Sequence, residues 1–128
     1  MLQLYPMNQL YRELILDHYK NPRNTKSLSE HTHEGTEENL SCGDSIRVQI
    51  RMTNDKIQEI GHHTEGCAIS IASSSILSEE LLGKTPDEIR NFDENDIMNM
   101  LGTKLTTSRI SCAMLPVEAL KKALQVDE

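Results

Sequence analysis

Tryptophan is absent, phenylalanine occurs once and tyrosine three times. A folded core therefore has to be built from Leu, Ile, Val, Met and Ala. Cysteine is scarce too, with three residues at Cys42, Cys67 and Cys112. An odd, widely spaced set does not suit the disulfide framework of a secreted domain. In a reducing cytoplasm such thiols are core residues, reactive groups or metal ligands. No apolar run approaches the roughly 20 residues that a membrane span needs. The opening MLQLYPMNQLYRE lacks a basic leader, a long apolar segment and a cleavage site, so no secretory signal is expected and a cytoplasmic location is. Positive charge is outnumbered: 13 Lys and Arg stand against 20 Asp and Glu, a formal net charge of −7. Such a surface repels nucleic acid and anionic membranes and favours partners with basic patches. A chain of 128 residues predicts one domain, 1–128, with a modest core.

Patterning divides the chain into helices and a short sheet. Asn8 can cap a first helix that runs through Tyr19, with Leu10, Leu14 and Ile15 as its apolar stripe. Pro22 in NPRN disfavours helical geometry at Asn21 and should stop it there. Residues 24–41 are polar and without period, which predicts a loop. From Ile46 the apolar residues Ile46, Val48, Ile50 and Met52 alternate with polar ones, the signature of a strand with one buried face. TND signals a turn into a second strand over Lys56–Thr64, where Ile57 and Ile60 have opposite parity and predict a bulge or early end.

Cys67 is followed by AISIASSSILSEELLGK, which reads as a helix with Ala68, Ile71, Ala72, Ser75 and Ile76 on one face and Gly83 near its end. TPDE at 85–88 carries a capping box with proline in the first turn. A short helix over Glu94–Leu101, stopped by Gly102, and a last helix including Val117–Leu124 complete the pattern. Pro116 predicts that this last helix starts at Ala113 or Met114, with Cys112 at or just outside its N-terminus.

Cys67 and Cys112 thus both stand at predicted helix starts, where unpaired N–H groups and the helix dipole favour thiolate. Cysteine placement by itself suits buried structural thiols as well as ligands. Asp44 in SCGD adds a carboxylate two residues after Cys42. Three thiolates leave a tetrahedral zinc one ligand short, and a carboxylate can complete the set.

LYRELILDHYKNPRN, SCGDSIRVQI, TEGCAISIASSSILSEELLGK and SRISCAMLPVEALKKAL together resemble the U-type iron–sulfur cluster scaffold family of IscU, SufU and the N-terminal module of NifU. The resemblance runs over nearly the whole chain, in order, with all three cysteines in place. It implies an α+β fold in which helices cover one face of a small antiparallel sheet and the cysteines gather at one tip. It implies a site of Cys42, Asp44, Cys67 and Cys112. Cys112, on a loop before the last helix, would accept persulfide sulfur from a cysteine desulfurase. Cys42 and Cys67 would share the metal or nascent [2Fe–2S] cluster, with Asp44 as the exchangeable ligand; a hard carboxylate leaves a soft iron–sulfur site more readily than thiolate does. The implied activity is cluster assembly with transfer to acceptor or carrier proteins. The alternative is a SufU-like zinc-dependent sulfurtransferase holding Zn²⁺ at the same four residues.

The resemblance is not uniform across the family. Many IscU proteins carry histidine immediately before the third cysteine, where this chain has Ser111. Their LPPVK segment for an Hsp70-type chaperone is replaced by KLTTSRISC, which speaks against that partner. The opening is closer to SufU than to IscU, yet the insertion usual in SufU between the second and third cysteines is missing. Among the histidines, at most one of His62 and His63 can face the cysteine tip, because adjacent strand residues point to opposite faces. His18 reads as structural, His31 and His33 as solvated, and Lys104 as a surface cation. Ser73–Ser75 has no histidine–carboxylate partner for a nucleophilic triad and reads as helix packing.

Overall fold

The computed structural model describes the backbone of residues 4–40, 43–102 and 104–125, and all of their side chains except those of 4–11 and 125. The first helix, α1, spans Leu4–Lys20. Asn8 therefore lies within the helix and is not its cap; Pro6 falls in the first turn, where a missing N–H costs nothing. The Leu10 side chain lies outside the described residues, while Leu14 and Ile15 pack against the core. The helix ends ahead of Pro22 as expected, with Asn21 N–H bonded to Asp17 O at 2.8 Å.

Three antiparallel strands follow in the order β1-β2-β3: β1 His33–Asn39, β2 Asp44–Thr53 and β3 Lys56–Glu65. The β2–β3 turn places Asn54 and Asp55 at φ 55° and 64°, the paired left-handed geometry of a two-residue hairpin turn. The expected bulge lies opposite Arg51 and Met52; it lets both Ile57 and Ile60 point inward. β1 corrects the expectation of a loop over 24–41. HEGTEEN has no apolar alternation because its one buried residue is glycine. Its glutamates suit an exposed sheet edge, and the pairing with β2 supplies the order that its side chains do not.

The helices lie on the face that carries Ile46, Val48 and Ile50, all buried. α2, Ala68–Glu80, is buried nearly all round, including Ser70, Ser73, Ser74, Ser75 and Ser78. It sits between α1 and the last helix rather than presenting a single face to the sheet. Serine suits that place: it is small, and its hydroxyl finds backbone partners, as Ser74 does at Ser70 O and Ser78 at Ser75 O. α3, Pro86–Arg90, and α4, Glu94–Leu101, each begin with a complete capping box, on Thr85 and Asp93 respectively. Gly102 ends α4 in the left-handed region at φ 74°.

The last helix departs most from expectation. α5 spans Thr107–Gln125 with Pro116 inside it, so Cys112 lies in its second turn, neither at a helix start nor on a loop. Proline removes the N–H that would bond the carbonyl four residues back, which here is that of Cys112. Side chains of α2 act in that gap: Ser70 Oγ lies 3.2 Å from Cys112 O, and Ser73 Oγ donates to Ala113 O at 2.8 Å. A neighbouring helix thus makes an interior proline tolerable. Further along α5, Leu120, Ala123 and Leu124 are buried as expected.

Candidate metal centre

Strand parity positions the carboxylate. Asp44 stands in register with Ile46, Val48 and Ile50, so it continues the inward stripe and is 2% exposed. Burial of a carboxylate requires hydrogen-bond donors. Asp44 Oδ1 accepts from the Cys67 backbone N–H at 3.1 Å, and Oδ2 accepts from Ser70 Oγ. Gly66 makes this possible: a Cβ there would overlap the Asp44 carboxylate. Cys67 is the N-cap of α2, with extended backbone at φ −76° and ψ 169°. Its sulfur is 3.4 Å from Asp44 Oδ2.

Cys112 reaches the same point from α5. One donor atom each from Asp44, Cys67 and Cys112 lie within 4.8 Å of one another, although the residues come from a strand, a helix cap and a helix interior. Cys67 is exposed and Cys112 buried. An open cavity of about 440 Å³ is lined by Cys67, Ile69, Arg109 and Cys112 among other residues. Two thiolates and a carboxylate are a donor set that suits zinc or iron, so these three residues could hold such an ion. The fourth expected ligand, Cys42, lies outside the described residues. Ser111, immediately before Cys112, is exposed and gives its hydroxyl proton to Ser108 O at 2.7 Å while accepting from Asn39 Nδ2 at 3.1 Å.

Neither histidine of the strand pair joins this group among the described residues. His62 points inward, and its Nε2 donates to Arg23 O at 2.9 Å, leaving Nδ1 to accept from Thr64 Oγ1 at 3.0 Å. His18 pairs with Ser75 Oγ at 2.7 Å, which also accepts from Arg23 N–H. Both are structural. Burial holds the pKa of each below the ordinary histidine value. The folded state therefore favours neutral imidazole, and the unfolded chain binds more protons once the pH falls below about 6.5. The stability these residues contribute is complete above that pH and is lost as the pH falls toward their folded values. We expect the thermal midpoint to drop between pH 7.5 and 5.5 in a scan of unfolding against pH. His62→Gln should flatten that slope; an equal slope in the variant would assign the pH dependence elsewhere.

Ser70 is the residue of this site that sequence reasoning passes over. Its signal is faint: it lies three residues after Cys67, on the same side of the first helical turn. Nothing local indicates that Asp44 and the Cys112 carbonyl lie against it.

Residues 10–126 match the model of the NifU-like N terminal domain. The scaffold protein IscU of Escherichia coli is 35% identical over 118 residues, covering 89% of this chain and 91% of the relative. The zinc-dependent sulfurtransferase SufU of Bacillus subtilis is 31% identical, covering 95% of this chain and 94% of its own; the alignment of 139 positions is longer than the present chain, so that relative carries residues without a counterpart here. Among solved structures, a SufU protein of Fervidobacterium islandicum, described as a cluster assembly scaffold for the SUF system, superposes with a TM-score of 0.75 at 31% identity over 88% of this chain and 94% of its own. The α+β architecture and the sequence thus agree across nearly the full length, and the chain belongs to the NifU-like N-terminal domain family.

Proposed function

We propose that this protein is an iron–sulfur cluster assembly scaffold: it accepts sulfur from a cysteine desulfurase, binds iron, and holds a [2Fe–2S] cluster for transfer to acceptor proteins. The observation that carries the reading is the convergence of the Asp44, Cys67 and Cys112 donor atoms within 4.8 Å. The proposed site adds Cys42. In the sulfur step, the Cys112 thiolate attacks the outer sulfur of the desulfurase persulfide. A new S–S bond forms at Cys112, the S–S bond of the donor breaks, and the donor cysteine leaves as thiolate. Conversion of that sulfane sulfur to the sulfide of a cluster draws electrons from an external dithiol reductant. The cluster is cargo, so one weak ligand among three thiolates is an advantage for release.

A second reading, a zinc-dependent sulfurtransferase, is favoured by the near full-length match to the Bacillus SufU. In that case Cys42, Asp44, Cys67 and Cys112 would hold zinc, whose charge keeps bound sulfur deprotonated. The covalent sulfur step is the same; the product is a persulfide passed on to another protein.

Anaerobic reconstitution with a desulfurase, cysteine, ferrous iron and a dithiol separates the two. The scaffold reading expects a visible-absorbing cluster that moves to an apo acceptor. Tight zinc with persulfide turnover and no transferable cluster would establish the sulfurtransferase instead.

A further inference from the structure

Ser70 is outside the proposed ligand set, yet it touches every described part of it. Its side chain is completely buried. The hydroxyl donates to Asp44 Oδ2, the same carboxylate oxygen that faces Cys67 Sγ. It also lies 3.6 Å from that sulfur and 3.2 Å from the Cys112 carbonyl. A serine hydroxyl has one proton, so it cannot give a full bond to Asp44 and to Cys112 O together. The second acceptor exists because Pro116 withdraws the helical donor of that carbonyl.

We infer that Ser70 is a positioning residue that competes with a bound metal for Asp44. Its proton rests on Asp44 Oδ2 while the carboxylate is off the metal, and turns to the Cys112 carbonyl when the carboxylate is on it. Asp44 Oδ2 then holds either the metal or the hydroxyl proton, so the buried carboxylate oxygen is not left bare during exchange, the costly event in a site of this kind. The inference rests on the metal-site reading of the proposed function.

The test uses zinc alone, loaded on the full chain, with affinity and dissociation rate read by competition against a chromophoric chelator. Ser70→Ala removes the hydroxyl donor at Asp44 Oδ2 and should bind zinc about tenfold more tightly, with correspondingly slower release. Pro116→Ala returns an N–H to the Cys112 carbonyl, confines the Ser70 proton to Asp44, and should weaken zinc retention by about threefold to tenfold. Both effects should vanish in an Asp44→Ala background. A packing role would not produce opposite signs that both depend on Asp44. If Ser70→Ala instead loses about 10- to 100-fold in affinity, Ser70 is an ordinary orienting partner and the inference is overturned; the same holds if either effect survives without Asp44. Should Ser70→Ala fail to fold, unchanged zinc retention in Pro116→Ala overturns it alone. Equal zinc binding by the unaltered protein and Asp44→Ala defeats the metal-site reading, and this inference with it. A difference there, with Ser70→Ala silent, defeats only the inference.

Discussion

Cys112→Ser should reduce sulfur acceptance from a desulfurase to background. A serine hydroxyl at neutral pH is not ionised, and an unassisted alcohol does not displace a thiolate from a persulfide sulfur. The expected readout is the loss of labelled sulfur from the protein after incubation with desulfurase and labelled cysteine, under non-reducing conditions. The fold should survive, because Ser is close in size to Cys and the site already contains polar partners; a loss of about 1 kcal/mol or less in stability is expected. Cys67→Ser is the informative comparison. Cys67 is the exposed thiol and Cys112 the buried one, so accessibility alone would favour Cys67 as the acceptor. Both residues line one open cavity, and acceptance at Cys112 requires the incoming persulfide to enter it. Label retained by Cys112→Ser and lost from Cys67→Ser would move the acceptor to the cap of α2.

Gly35→Ala should destabilise the protein by about 3 kcal/mol, with a fall in thermal midpoint on the order of 10 °C. Gly35 is the buried position of β1, and α5 packs directly on its backbone. An added Cβ would overlap the Ala119 carbonyl oxygen and stand 2.9 Å from Ala123 N. Those are backbone atoms of a helix, so relief requires the whole helix to move. α5 carries Cys112, and outward movement should also loosen the thiol cluster. Gly83→Ala is the control: Gly83 sits at φ 84° with open space around it, so only local strain of about 1 kcal/mol is added. Similar midpoints for the two variants would show that the sheet and α5 are not in close contact at Gly35.

The hairpin, the helix after Cys67, the Thr85 capping box and the Gly102 stop were legible in the sequence because their causes are local. Alternation, caps and turn dipeptides act over a few residues, and the competing structures are few. β1 was not legible, since Gly35 serves as its buried residue and contributes no hydrophobic signal. The start of α5 was hidden for a related reason. Pro116 disfavours a helix on local grounds, and its remedy lies on Ser70 and Ser73, some 40 residues away.

The alternation is legible from Ile46; only with β2 beginning at Asp44 does parity turn that residue inward, and nothing local says what would receive it. The donors that stabilise the buried carboxylate include the Cys67 amide and the Ser70 hydroxyl, brought there by α2 across the end of the sheet. By itself, then, the sequence determined the type of every element except β1, the apolar stripes and the chemistry of the candidate ligands. The tertiary structure alone decided that Cys112 lies inside a helix rather than at its start, and that Ser70 stands between it and Cys67. Ligand identity is a property of single side chains, whereas a coordination site is a set of distances between elements, and only packing fixes those.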